Sequence, residues 1–334
     1  MSRIVSALLV CALIVAGCGG SDKKTPPDPV EQVPDTPGLR DAVREAQTPD
    51  AASFPDPAGK TLQQVADLVT AGPQAALASS VFTAGGENRF VFGVIGQDGK
   101  AIYGPTAIYI APTPNEPAQG PFVAPADVLL TTPRYRSEQA AKETDPFAAV
   151  YAAPVKFDKA GPWSVLVMTR NGGRLVGAPT QINVKTKAQD RIPDVGEAAP
   201  KVATDTLESL KGNKELLDTR KPPSDMHTDF ASVVGKKPVA LLFSTPQLCV
   251  SRVCGPVTDL ALQMRAKYGK QMEFIHQEVW KDNNLKAGVR PPLAAFNLES
   301  EPWLFVIDKT GKVTARLEGS FGVAAFENAI KTAL

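Results

Sequence analysis

Residues 238–256 read Pro-Val-Ala-Leu-Leu-Phe-Ser-Thr-Pro-Gln-Leu-Cys-Val-Ser-Arg-Val-Cys-Gly-Pro, and no other stretch constrains the chain as strongly. Val239 to Phe243 is an unbroken apolar run, the pattern of a strand buried on both faces. A short loop carrying Cys249 and Cys254 follows. From Pro256 the spacing turns helical, with Val257, Leu260, Met264 and Tyr268 recurring at intervals of three and four. A buried strand that hands two cysteines to the start of a helix is the layout of a dithiol/disulfide site. Unpaired N–H groups at a helix start favour a thiolate, the reactive form of cysteine.

Whether that pair can carry chemistry depends on the other cysteines. The chain has four, at positions 11, 18, 249 and 254. Arg3 followed by an apolar run over 4–17 has the form of an export signal too short to span a bilayer comfortably. Its end, Val15-Ala16-Gly17-Cys18, resembles a bacterial lipobox. That resemblance implies cleavage before Cys18, lipidation of Cys18, and a place on the extracytoplasmic face of the bacterial cytoplasmic membrane. Several acyl chains anchor stably, each buried CH₂ contributing about 0.8 kcal/mol. Cys11 then leaves with the signal and Cys18 carries lipid, so the mature chain holds the single pair Cys249 and Cys254. In an exported protein such a pair is expected to be oxidised.

With 334 residues, 43% of them hydrophobic, the chain is long enough for two domains and their connectors. A formal net charge of +1 without runs of like charge gives no footprint for nucleic acid. The expected division is a signal peptide over 1–17, a proline-rich tether with short helices over 18–78, a β-sandwich over 79–186, a linker over 187–227, and an α/β domain over 228–334. Residues 19–37 contain five prolines and little apolar surface, which reads as a disordered tether. Helices are expected over 39–46 and 61–70. Strands are expected over 90–95, 106–111, 148–157, 163–169 and 181–184, with hairpin turns at Asp98-Gly99 and Asn171-Gly172-Gly173. The string from Phe157 to Trp163, with Gly161 two residues before the tryptophan, resembles the strand entry of bacterial immunoglobulin-like modules. Trp163 itself reads as a core residue. In 187–227, Asp190, Pro193, Gly196 and Pro200 break any regular element, with room for a helix over 207–217.

Beyond the cysteine-bearing helix, strands are expected over 272–280, 303–308 and 313–317, a short helix over 291–298, and a closing helix over 323–333. The order βαβαββα across 228–334, with a dithiol after the first strand, resembles the thioredoxin superfamily. The resemblance implies a cis-proline facing the dithiol, and Pro302 in Glu301-Pro302-Trp303 stands at that position. Thioredoxins carry C-x-x-C, whereas this chain has C-x₄-C. Cys254 has the family's second-cysteine distance to the following strand, and Cys249 then takes the first position. The family's chemistry implies Cys249 as attacking thiol, Cys254 as resolving thiol, and Pro302 in the substrate-docking surface. Arg252 could lower a neighbouring thiol pKa.

The partners so implied are thiols and disulfides of exported proteins, with the lipid membrane held through Cys18. Two other readings remain open. One is a non-catalytic binding or scaffold protein whose Cys249–Cys254 disulfide is a structural staple. The other is a copper metallochaperone, Cu(I) being held by the two cysteines and a methionine such as Met226. No nucleotide, flavin or haem motif is present, so no cofactor is expected. No resident metal is expected either: His227 falls in the linker and His276 in a strand, and each alone reads as a solvated or core histidine.

Overall fold

A computed structural model describes residues 28–144, 146–249 and 254–334. The expected export signal, Cys18 and Arg252 lie outside the described residues. The N-terminal half runs through α1 (Leu39–Ala46), α2 (Leu62–Ala66), β1 (Thr70–Ala71), β2 (Gln74–Leu77), β3 (Glu87–Ile95), β4 (Thr106–Ala111), β5 (Gln119–Val123) and β6 (Ala126–Val128). It continues with α3 (Glu138–Lys142), β7 (Ala149–Lys156), β8 (Gly161–Asn171) and β9 (Arg174–Val184). These strands form one sheet in the order β1-β9-β8-β4-β5 and another in the order β2-β3-β7-β6.

The period-two alternation of the strands assigns their faces. Phe90, Phe92 and Val94 of β3 share a core with Ile108 and Ile110 of β4 and with Trp163, Val165 and Val167 of β8. The two sheets therefore pack face to face. The intervening residues Ala107, Tyr109, Leu166 and Met168 turn the other way and are covered by Leu62 and Val65 of α2. The turn between β8 and β9 is Gly172-Gly173, both at positive φ, where a side chain would be strained. Residues 28–37, expected in the tether, are packed here. Val30 and Val33 are 0% and 1% exposed in the same core, beside Val43 and Ala46 of α1. Arg40 Nε donates to the Val33 carbonyl and Arg136 Nη2 to that of Gln32, so the two valines are held from the backbone as well.

The C-terminal half comprises α4 (Lys214–Leu217), α5 (Phe230–Val233), β10 (Val239–Phe243), α6 (Cys254–Tyr268), β11 (Glu273–Gln277), α7 (Pro291–Ala295), β12 (Trp303–Ile307), β13 (Val313–Glu318) and α8 (Val323–Lys331). Its sheet has the order β11-β10-β12-β13, with β10 parallel to β11 and the other pairs antiparallel. This is the order of elements expected from the thioredoxin resemblance. Ala240 and Leu242 of β10 pack against Val257, Leu260 and Met264 of α6 and Phe326 and Ile330 of α8. Val239, Leu241 and Phe243 pack on the opposite face against Phe230, Leu293 and Phe296. The central strand is thus covered on both faces, as its unbroken apolar run requires.

Residues 187–227, expected as a linker, are fixed to this half. Ile192 and Ala199 are buried in its core. The Gly196 and Ala199 N–H groups donate to the carbonyls of Val313 and Gly311, and the Val313 N–H donates to Glu197. The two halves also interlock. Asp127, just inside β6, accepts from the N–H groups of Gly322, Ala324 and Ala325 at 2.8–3.0 Å, so one half caps the terminal helix of the other. Glu318 of β13 accepts from the N–H groups of Ser80 and Val81. Among the described residues no helix is long and apolar enough to cross a membrane.

Candidate active site

β10 ends at Phe243, and Ser244 and Thr245 carry the buried backbone onward to a turn over residues 246–248. Cys249 follows, half-buried, and Cys254 opens α6 with no exposed surface. Cys254 and Gly255 thus lie inside the helix, which had been expected to begin at Pro256. Pro256 still occupies the first turn, where its missing N–H has no helical partner to lose. A hydroxyl pair fixes this turn to the end of the strand. Ser244 Oγ lies 2.8 Å from Thr258 Oγ1, which donates to the Cys254 carbonyl at 2.7 Å.

The two cysteines are not joined by a disulfide, and their side chains are hydrogen-bonded to each other. Burial pushes the Cys254 thiol well above its usual range, and the adjoining Cys249 adds to that. The Thr245 N–H works in the opposite direction by hydrogen-bonding the Cys254 sulfur. Cys254 is therefore a protonated, inaccessible thiol, while Cys249 presents surface.

Glu301 lies near Cys249. Its peptide bond to Pro302 is cis, and Pro302 is buried. Burial raises the Glu301 carboxyl, and the Cys249 sulfur beside it raises it further. Of the residues expected to form the site, Cys249, Cys254 and the Glu301–Pro302 peptide come together, and Arg252 is not among the described residues. Glu301 was not foreseen. Its only signal in the sequence is its place before Pro302.

A cavity of about 260 Å³ opens beside Cys249. Its walls come from three parts of the chain: Ser137, Glu138 and Lys142 at α3, Arg220 and Lys221 from the 187–227 stretch, and Pro246, Gln247 and Pro256 around the dithiol. A larger cleft of about 450 Å³ lies beside the C-terminal half of α6, lined by Leu130, Tyr135, Met264 and Glu327, and contains no cysteine. Chemistry at a thiol belongs to the smaller one.

Arg220 organises that cavity wall. Its Nε donates to Asp259 Oδ1 at 2.7 Å, its Nη1 to the Pro222 carbonyl at 2.6 Å and its Nη2 to the Tyr135 carbonyl at 2.8 Å. Asp259 Oδ2 accepts from the Ser137 N–H at 2.9 Å, at the N-cap of α3. Burial raises the Asp259 carboxyl despite the guanidinium beside it. One buried ion pair therefore ties α6, the α3 wall and residues 220–222 together.

The histidines are not independent. His227 and His276 both face Asp218, and their ring centroids are 5.8 Å apart. Met226, weighed as a copper ligand, is buried in the core with Val257 and Met264.

No family model matches the chain, and no curated protein sequence does. Solved structures similar to part of it include a thiol:disulfide interchange protein of the thioredoxin family from Chlorobium tepidum TLS. That structure is 20% identical, covers 43% of this chain and 98% of its own, and has a TM-score of 0.30. A Chlorobium tepidum structure described as the interchange protein DsbE is 19% identical over 42% of this chain and 98% of its own, with a TM-score of 0.30. The structure of MTB DsbF is 16% identical over 41% of this chain and 97% of its own, with a TM-score of 0.29.

Proposed function

We propose that this protein is a membrane-anchored, extracytoplasmic thiol–disulfide oxidoreductase acting on exported proteins, in which an immunoglobulin-like β-sandwich precedes a thioredoxin-like domain. The observation that carries the reading is the asymmetry of the pair: a half-buried Cys249 at a cavity, in contact with a fully buried Cys254 at the start of α6. In the reducing direction the Cys249 thiolate attacks one sulfur of a client disulfide and expels the other as a thiolate. Cys254 then loses its proton and attacks Cys249 Sγ, releasing the second client thiol and leaving the Cys249–Cys254 disulfide. Two electrons pass to the client, and the reverse sequence oxidises it. Pro302 and Glu301 form the docking edge, and Arg252 belongs to the loop between the cysteines.

The reduction potential of the pair tests this against a scaffold with a structural staple. A value more oxidising than about −300 mV is expected, and a value below it would assign the disulfide to structure. The copper reading gains nothing from the histidines. His276 Nε2 lies 3.1 Å from the Ser244 carbonyl and its Nδ1 3.3 Å from Asp218, so neither ring nitrogen is turned to the cysteines.

Anchoring rests on the lipobox-like end of the export signal at Cys18. A Cys18→Ser chain is expected to lose its acyl groups and move from the detergent phase to the aqueous phase on partitioning. Retention in the detergent phase would remove the anchor from the proposal.

A further inference from the structure

Behind the dithiol loop, three side chains from distant parts of the sequence meet out of solvent. Asp218 and His276 have no exposed side-chain surface, and the His227 side chain retains only 8%. We propose that Asp218, His227 and His276 bind a divalent transition-metal ion of the zinc class.

The convergence of three buried or nearly buried ligand atoms carries the inference. His276 Nε2 lies 3.1 Å from the Ser244 carbonyl, and His227 Nδ1 lies 3.3 Å from the His276 carbonyl. A carbonyl can only accept, so His276 Nε2 bears a ring proton. The other nitrogens are His276 Nδ1 and His227 Nε2, and His227 Nε2, itself 3.1 Å from the Ser224 carbonyl, must turn away from it to offer a lone pair. Those other nitrogens point at one carboxylate oxygen: Asp218 Oδ2 is 3.3 Å from His276 Nδ1 and 3.4 Å from His227 Nε2. Three potential ligand atoms thus converge, and all lie within 4.8 Å of one another. His276 Nδ1 is buried and meets Asp218 as an ion-pair contact rather than a well-aligned hydrogen bond. An arrangement of this kind calls for positive charge, from a proton on a ring or from a metal ion in its place.

A proton on His276, favoured by Asp218, competes with a metal ion for this place. Asp218 already accepts from the Arg220 N–H at Oδ1 and from the Ser224 N–H at Oδ2, and despite burial its carboxyl is held well below the usual range, chiefly by His276. Among the described residues its ion-pair partners are the two histidines alone. The Arg220 guanidinium is directed to Asp259. Glu278, two residues beyond His276, adds a second buried carboxyl whose Oε2 has no partner. Buried charge of one sign is ordinarily paired or coordinated to a metal.

Geometry and donor chemistry narrow the ion. Tetrahedral donors about 2.0–2.1 Å from zinc are roughly 3.3 Å from one another, which is the spacing of both Asp218–histidine contacts. The third edge closes by rotation of His227, which stands in an irregular segment. The Ser224 carbonyl and hydroxyl, 3.1 and 3.3 Å from His227 Nε2, offer oxygen for the fourth position. Carbonyls that take the outer N–H of each ring are the usual support of metal-binding histidines. Two imidazoles and one carboxylate suit Zn²⁺ and its neighbours over Ca²⁺ or Mg²⁺, and the absence of sulfur disfavours Cu(I). The ion would tie residues 218–227 to β11 and to Ser244 at the root of the cysteine loop.

The test must silence the thiols, which also take zinc. The full chain bearing Cys249→Ser and Cys254→Ser is stripped with chelator and titrated with Zn²⁺ against a chromophoric competitor at pH 7.5. One ion per chain is expected at sub-micromolar dissociation constant, with a higher melting temperature. His227→Ala, the least buried of the three, should weaken binding at least 100-fold while circular dichroism stays unchanged, and the near-isosteric Asp218→Asn should do the same. Binding no tighter than about 10 μM would overturn the proposal and leave the cluster as an imidazolium–carboxylate pair. Tight binding that survives His227→Ala would overturn it as well.

Discussion

A Cys254→Ser chain is expected to accumulate mixed disulfides with client proteins through Cys249, and a Cys249→Ser chain to accumulate few. Access decides the direction. Cys249 is half-buried at a cavity, while Cys254 lies wholly inside the first turn of α6. Ionisation points the same way. Burial pushes the Cys254 thiol well above its usual range, which disfavours a thiolate there at neutral pH. Iodoacetamide at pH 7 should therefore label Cys249 at least tenfold faster. The same shift predicts a pH dependence for the reduced protein. A folded-state pKa raised above the unfolded value adds stability below the unfolded pKa, and that stability is lost as pH rises through the folded one. The urea midpoint of the reduced chain should thus fall above about pH 9, and that of the oxidised chain should not. Stronger trapping by Cys249→Ser would exchange the roles of the two cysteines. Trapping by neither variant, with both less stable, would make the pair a staple.

Much of the C-terminal half was legible because its signals are local. The run Val239 to Phe243 names a strand covered on both faces, and the spacing from Val257 to Tyr268 names the face of α6 that covers it. The place of Pro302 was readable from the resemblance, and Glu301 followed from nothing but adjacency. The 187–227 stretch was not legible, for a physical reason. Pro193, Gly196 and Pro200 prevent a repeating backbone, but they do not prevent packing. Gly196 and Ala199 pair with β13 and the turn before it, and Ile192 fills a gap in the core. Breakers report loss of periodicity, while order here comes from individual hydrogen bonds to partners more than a hundred residues away. The two histidines were unreadable for a related reason. His276 has its place from the register of β11 on β10, while His227 and Asp218 reach it through irregular backbone. No spacing in the sequence encodes that meeting.

Substituting Arg220 should be the most damaging single change at the cavity. The Arg220 side chain is 4% exposed and that of Asp259 2%, so neither charge has water to fall back on. Removing one partner of such a pair typically costs 3–5 kcal/mol, because the other is left buried and uncompensated. For Arg220→Ala a loss of about that size is expected from urea unfolding at pH 7, together with an open α3 wall as the Tyr135 carbonyl loses its donor. The sign with pH follows from Asp259. Burial already raises its carboxyl with the guanidinium present, and without it the folded-state pKa must climb further. Stability tied to a raised carboxyl is present at low pH and lost as pH rises through the folded value. The deficit of Arg220→Ala should therefore be smaller at pH 5 than at pH 8. Replacing both residues by apolar ones of similar volume, Arg220→Met with Asp259→Leu, should cost less than either single change, since no charge is then stranded. A deficit under 1 kcal/mol, or one that does not vary between pH 5 and 8, would mean that water reaches Asp259 and that the pair does not hold the wall. Because Arg220 also lines the cavity beside Cys249, exchange with a protein disulfide should slow more in Arg220→Ala than exchange with a small disulfide such as oxidised glutathione. A small reagent needs only the thiol, whereas a client chain needs the wall that positions it.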